Sequence, residues 1–208
     1  MRLQVFLTLF VLACGCVCCG DDPVASDLDG ITPSIALYDC AGIEESGRDE
    51  CYYMAALSGK NEALCQHVKN LVERDACIKF VAKLKSDETV CTGIGDDFTK
   101  DTCLFDIAVK GGGAGVCEKI SDVEAKGFCT AIVSKNKAYC AQNTGGEERS
   151  FCNAVVDSNP ASCLGLDDEG LKNMCLTIIA QIRGDPGVCS KISVAQDRSA
   201  CELTATKI

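Results

Sequence analysis

Fourteen of the eighteen cysteines recur at nearly even intervals between Cys40 and Cys201. A spacing this regular restricts the chain to an array of similar small units, each too small to bury a core alone. Two alternating positions are distinguishable. Position A holds Cys40, Cys65, Cys91, Cys117, Cys140, Cys163 and Cys189, and position B holds Cys51, Cys77, Cys103, Cys129, Cys152, Cys175 and Cys201. The step from A to B is almost constant, whereas the step from B to the next A varies. Position A therefore recurs with a period of roughly 23 to 26 residues, in the range of repeat arrays.

Aligned on these cysteines, the seven units share further columns. Three residues after A stands an apolar side chain in six of them: Ile43, Val68, Ile94, Ile120, Leu166 and Ile192, with Asn143 the exception. Four residues after A, Ser121, Thr144 and Ser193 are helix N-cap candidates, and Glu124, Glu147 and Gln196 three residues later complete capping boxes. Apolar residues at B+1 and B+4, as in Ile78 and Val81, Leu104 and Ile107, or Leu176 and Ile179, have helical spacing. A long helix is therefore expected from about A+5 to about B+6. Around A, the pairs Thr32-Pro33, Asn159-Pro160 and Asp185-Pro186 put Pro at the first position of a shorter helix, and Asn61, Ser86 and Asn136 are caps for other copies. Ser58-Gly59, Gly111-Gly112-Gly113 and Gly184-Asp185 read as turns between units.

A helix of roughly two turns is marginal alone in water, and the chain has no Trp and only 5% aromatic residues with which to hold it. Cystines supply the constraint. Closing a loop of about 12 residues restricts the unfolded chain by roughly 3 kcal/mol in the chain-entropy account. Joining A to B within each unit uses all fourteen cysteines, whereas joining B to the next A strands Cys40 and Cys201. Pairing within units is favoured on that ground, although the periodicity alone accommodates either choice. Zinc sites take paired ligands close together in sequence, and no such spacing occurs from residue 20 onward. No cofactor or metal is expected.

The segment 1–13 reads as a secretory signal: Arg2, then an apolar run from Leu3 to Ala13 too short to span a bilayer. The tetrad Val11-Leu12-Ala13-Cys14 resembles the lipobox of prokaryotic lipoproteins. That resemblance implies cleavage before Cys14 and lipid attachment to it, with residues 14–31 a tether carrying Cys16, Cys18 and Cys19, and residues 32–208 the array. Export to a cell envelope or surface agrees with the cysteines, since disulfides persist in oxidising compartments.

The net charge of −10 argues against a nucleic-acid partner, which needs a basic footprint. A basic residue nevertheless stands three positions before every B cysteine: Arg48, Arg74, Lys100, Lys126, Arg149, Lys172 and Arg198. In four units a carboxylate precedes it by four residues (Glu44, Asp96, Asp122 and Asp168), a spacing that favours ion pairs along a helix. The row is expected to form a ladder of surface pairs, and its alternative use is to engage an anionic partner. His67 is the single histidine and reads as a surface side chain. The glycines at 111–113 and 115 lack the Gly-Lys-Ser/Thr ending of a phosphate loop, no EF-hand ligand loop is present, and no nucleophile–base constellation can be assembled.

These features describe an all-α chain, a right-handed α solenoid of about seven disulfide-stapled hairpins. In that design it resembles the Sel1-like repeats of cysteine-rich secreted bacterial proteins, whose bridged helix pairs stack into a superhelix. The resemblance implies protein interaction as the use of the fold. The expected function is a non-enzymatic, envelope-anchored binding or scaffold lipoprotein, with a membrane partner through the lipid and a protein partner along the array. The alternative is a coat or matrix component crosslinked through Cys16, Cys18 and Cys19.

Overall fold

Long and short helical segments alternate along the computed structural model, which describes residues 40–142 and 145–205. The signal segment, Cys14, the tether with Cys16, Cys18 and Cys19, Thr32-Pro33, Asn143 and Thr144 all lie outside those residues. Seven long helices each carry a B cysteine: α1 (Glu45–Gly59), α2 (Leu71–Lys85), α3 (Asp97–Ile107), α4 (Val123–Ser134), α5 (Gly146–Val156), α6 (Glu169–Arg183) and α7 (Ala195–Ala205).

Each A cysteine sits on a short segment. Glu62–Cys65, Ala114–Cys117 and Pro160–Cys163 form one α-turn, while Cys40–Gly42, Val90–Gly93, Lys137–Gln142 and Pro186–Lys191 are 3₁₀-helical. A segment this short gains from i to i+3 bonds, which close after fewer residues than α bonds. Caps fix their starts. Asn61 Oδ1 accepts from the Ala63 N–H at 3.1 Å, Asn136 Oδ1 from Ala138 at 3.0 Å, Asn159 Oδ1 from Ala161 at 3.1 Å and Asp185 Oδ1 from Gly187 at 3.0 Å.

Ser86 is not a cap of this kind. It ends α2 in the left-handed conformation (φ 51°), and Asp87 takes the capping place by accepting from the Thr89 N–H at 2.9 Å. The same left-handed ending follows α1 at Lys60, α4 at Lys135 and α6 at Gly184. Only Gly184 adopts it without a Cβ penalty. After α3 the chain runs through a π-helical turn, Ala108–Gly112, whose exit needs glycine at Gly111 (φ 134°) and Gly113 (φ 80°).

Apart from α1, the long helices start one residue later than the capping-box reading expects. The residue that caps is at A+5: Asn70, Asp96, Asp122 and Asp168 accept from backbone N–H groups of the first turn, Asp122 from Ala125 at 2.8 Å. Ser121 does not cap α4; its N–H donates to Asp101 of the preceding unit, and Asp122 beside it supplies the cap. Ser193 is likewise directed backwards, its hydroxyl donating to Glu169 at 3.3 Å.

Seven disulfides join A to B within units: Cys40–Cys51, Cys65–Cys77, Cys91–Cys103, Cys117–Cys129, Cys140–Cys152, Cys163–Cys175 and Cys189–Cys201. All fourteen cysteines are buried. Twelve of them, from Cys65 to Cys201, belong to one apolar core running from Ala56 to Ala205, while Cys40, Cys51 and Ala55 form a separate small cluster in the first unit. The apolar columns lie where their spacing puts them. Val68, Ile94, Ile120, Leu166 and Ile192 are buried behind the corners, as are Ile78, Val81, Leu104, Ile107, Leu176 and Ile179 on the long helices, whereas Ile43 in the first unit is exposed.

Successive long helices pack on one another, α1 on α2 and α2 on α3, then α4 on α5, α5 on α6 and α6 on α7. Between α3 and α4 the contact is carried by Ala108–Gly112 and by stacked rings. Phe105 lies on Phe128 at 5.6 Å between centroids, and Phe128 on Phe151 of α5 at 5.1 Å, a spine of aromatic rings through three units. Contacts are not confined to neighbours, because Ala108–Gly112 also touches α6, three units further along.

Candidate functional site: the edge where the long helices begin

The basic row does not form the expected ladder. Among the described residues no ion pair joins Glu44 to Arg48, Asp96 to Lys100, Asp122 to Lys126 or Asp168 to Lys172. Three of those carboxylates are occupied as N-caps, which takes their oxygens toward the backbone. The cations are used differently from unit to unit. Arg48 Nη2 donates to the Ile43 carbonyl at 3.0 Å, and Arg198 Nη1 donates to the Ile192 carbonyl at 3.3 Å, so in the first and seventh units the arginine closes the corner at A+3. Lys172 pairs with Glu169 at 2.7 Å, and Arg149 is exposed. Arg74, Lys100 and Lys126 are half-buried and enter no ion pair among the described residues.

The residues that tie one unit to the next stand one position nearer to B. Asp49 Oδ2 accepts from the N–H groups of Lys69 and Asn70, both at 3.0 Å. Asp75 does the same for Gly95 and Asp96, with a shortest distance of 3.0 Å, and Asp101 for Ser121 and Asp122 at 2.9 Å each. In each case a carboxylate on one long helix holds the two residues that lead into the next. Asp75 and Asp101 are themselves buried, at 6% and 3% exposure, so these are charge-assisted bonds away from bulk water. The column changes later in the chain. Gly127 stands there in the fourth unit and Ser150 in the fifth, where Glu147, three residues earlier, accepts from the Asp168 N–H instead, and Asn173 of the sixth donates to Asp197 at 2.9 Å. A signal for this was present in the repeat, as Asp recurs at B−2 in the first three units.

Removing such a strut has a calculable effect. With Asp101→Ala the Ser121 and Asp122 N–H groups lose their acceptor in a part-buried corner, an unmade-bond cost of about 1 to 3 kcal/mol that urea denaturation will read as a lower midpoint at unchanged slope. Asp101→Asn keeps an acceptor oxygen and should recover part of the loss.

Exposed carboxylates reinforce the same junctions. Lys69 pairs with Glu45 across the first two units and Lys119 with Glu88 across the third and fourth, at 3.3 Å for the latter; Lys85 pairs with Glu62 within the second. The Glu45 carboxyl is held below its ordinary range by Lys69, Asp49 by the Asn70 and Lys69 N–H groups, Glu62 by Lys85, Asp87 by the Thr89 hydroxyl and N–H, and Glu169 by Lys172. A carboxylate whose pKa is lower in the folded than in the unfolded chain stabilises the fold at neutral pH, and that stability is lost as pH falls through the folded value. Thermal midpoints should therefore be level from pH 8 to pH 5 and decline below about pH 4.

The struts place the starts of α1 to α4 side by side along one edge. That edge exposes apolar side chains at Leu71, Val72 and Val123, with Val194 in a comparable place before α7. Sequence reasoning about the charged columns missed these residues, because Leu71 and Val123 share the position six after A but the other units do not carry a large exposed apolar side chain there. His67 is exposed, as expected, and its ring stacks on Tyr52 of α1 at 4.7 Å. Among the described residues no group of histidine, cysteine and carboxylate side chains is arranged to hold a metal ion, and no helix is long and apolar enough to cross a membrane. No protein-family model matches the chain, and neither a curated protein nor a solved structure is significantly similar to it. The seven disulfides fit an oxidising, extracellular environment.

Proposed function

We propose that this protein is a non-enzymatic binding or scaffold lipoprotein, anchored to a cell envelope by lipid on Cys14, whose stapled hairpins form a right-handed solenoid that engages another protein. What supports this function is repetition of one edge, fixed from unit to unit by Asp49, Asp75 and Asp101. Repeat arrays of this kind bind through extended surfaces built by neighbouring units, and the likeness to Sel1-like repeats points the same way.

The anchor and the binding role are tested separately. Cys14→Ala should leave an exported protein that washes off membranes, since stable retention requires two or more acyl chains; retention of the variant overturns the lipid anchor. Affinity capture of envelope proteins with the oxidised chain should give a saturable partner that is lost after reduction and unfolding. A chain that instead runs as high multimers until reductant is added is a crosslinked coat component, the use that Cys16, Cys18 and Cys19 would serve.

A further inference from the structure

We infer that the edge formed by the starts of α2, α3 and α4 docks a cationic amphipathic helix of a protein partner, an inference that rests on the binding role proposed above and names its surface. Leu71, Val72 and Val123 occupy the first turns of α2 and α4 and are 61%, 79% and 76% exposed. Nothing in the fold uses them. Valine is a poor choice for an exposed helical position, where its branched side chain loses rotamer freedom without gaining contacts, so Val72 and Val123 add nothing to the stability of their own helices.

Carboxylates stand beside these two apolar anchors. Glu73, Asp97 and Glu124 stand in the first turns of α2, α3 and α4, are exposed, and enter no ion pair among the described residues. The cations nearby do not neutralise them. Lys69 and Lys119 are already paired with Glu45 and Glu88, and Arg74, Lys100 and Lys126 lie half-buried further along their helices. The surface thus offers apolar contact flanked by free carboxylates, the complement of a helix with Leu or Val on one face and Lys or Arg beside it.

Spacing sets the length of the occupant. Two strut junctions separate the start of α2 from that of α4, and at the usual helix spacing of about 8 to 10 Å per junction the two starts stand at most about 16 to 20 Å apart. At about 1.5 Å per residue a helix of about 12 residues bridges both apolar anchors. The struts from Asp75 and Asp101 hold these helix starts in register, so the surface is formed before the partner arrives.

The test uses the full oxidised chain and a fluorescent Leu/Lys amphipathic peptide of about 14 residues, followed by anisotropy at low salt. A second peptide of identical composition, with its leucines dispersed around the helix, controls for charge alone. The amphipathic peptide should bind at least about tenfold more tightly than the dispersed one. The double variant Val72→Ser with Val123→Ser, and separately Glu73→Gln with Asp97→Asn and Glu124→Gln, should each weaken binding about tenfold, while Met54→Ser on α1 leaves it unchanged. All of these positions are exposed, and far-ultraviolet circular dichroism checks that the variants keep their helices. Equal binding of the two peptides, or full binding by either set of variants, overturns the proposal. Failure of the broader binding role is distinguishable: an envelope partner captured equally by parent and edge variants leaves that role standing and removes this surface, whereas edge-dependent peptide binding without a captured partner does the reverse.

Discussion

Complete reduction should convert a predominantly helical far-ultraviolet circular dichroism spectrum into that of a largely unfolded chain at physiological temperature. The seven staples span short loops, with sequence separations of 11 or 12, and each restricts the unfolded chain by roughly 3 kcal/mol. A domain of this size is stable by only about 5 to 15 kcal/mol, so even strongly sub-additive losses exceed what packing supplies. The short segments that carry the A cysteines, such as Cys40–Gly42 and Lys137–Gln142, have no independent stability. Single removals should be graded. Replacing Cys117 and Cys129 by alanine strips a fully buried pair from the main core, whereas Cys40 and Cys51 belong to the small separate cluster of the first unit. The interior pair should lower the denaturation midpoint more. A reduced protein that keeps its helicity would show that packing alone holds the hairpins.

Phe151→Ala should be the most damaging single substitution outside the cysteines. The ring is 1% exposed and ends the stack that begins at Phe105 and passes through Phe128. Truncating a buried phenylalanine costs about 3 to 5 kcal/mol, and the lost ring contact adds about 0.5 to 1.5 kcal/mol. The position matters as well as the volume. At the junction of the fourth and fifth units Gly127 replaces the strut aspartate, and the Phe128–Phe151 contact is among those that cross it. Thermal denaturation should show a large fall in midpoint for Phe151→Ala and almost none for Met54→Ala, whose side chain is half exposed.

The hairpin array was legible because local chemistry writes it. Cysteine spacing pointed to the pairing, and columns such as Ile78 with Val81 to the buried faces. The capping register was not legible, since Ser121 and Asp122 are adjacent and both competent caps, and the N–H groups of both are held by Asp101, a full unit earlier in the chain. The ion-pair ladder failed for a related reason: Asp96, Asp122 and Asp168 cannot cap a helix and also reach the cation four residues on. The aromatic spine is invisible to an alignment by columns, because Phe105 follows its B cysteine by two residues while Phe128 and Phe151 each precede theirs by one. Contact between Ala108–Gly112 and α6 depends on how the units turn relative to each other, which no single unit encodes. As for the edge, the recurring carboxylates were visible, but the exposed Leu71, Val72 and Val123 looked like any other apolar residues until their surroundings were known.

Every staple joins two cysteines that follow one another in the array, and every aspartate strut reaches forward from an earlier helix to a later corner. A chain threaded through a membrane amino end first therefore presents each unit with its thiol partner next in line and its carboxylate acceptor already in position. An oxidant that simply links array cysteines in order of appearance produces the native pattern. The thiols of a loop this short meet in on the order of 10 to 100 ns, so bond formation waits on the oxidant and not on the chain. Maturation of the array is then vectorial, with little need for disulfide reshuffling, and lengthening it by further units adds no combinatorial difficulty to its oxidation.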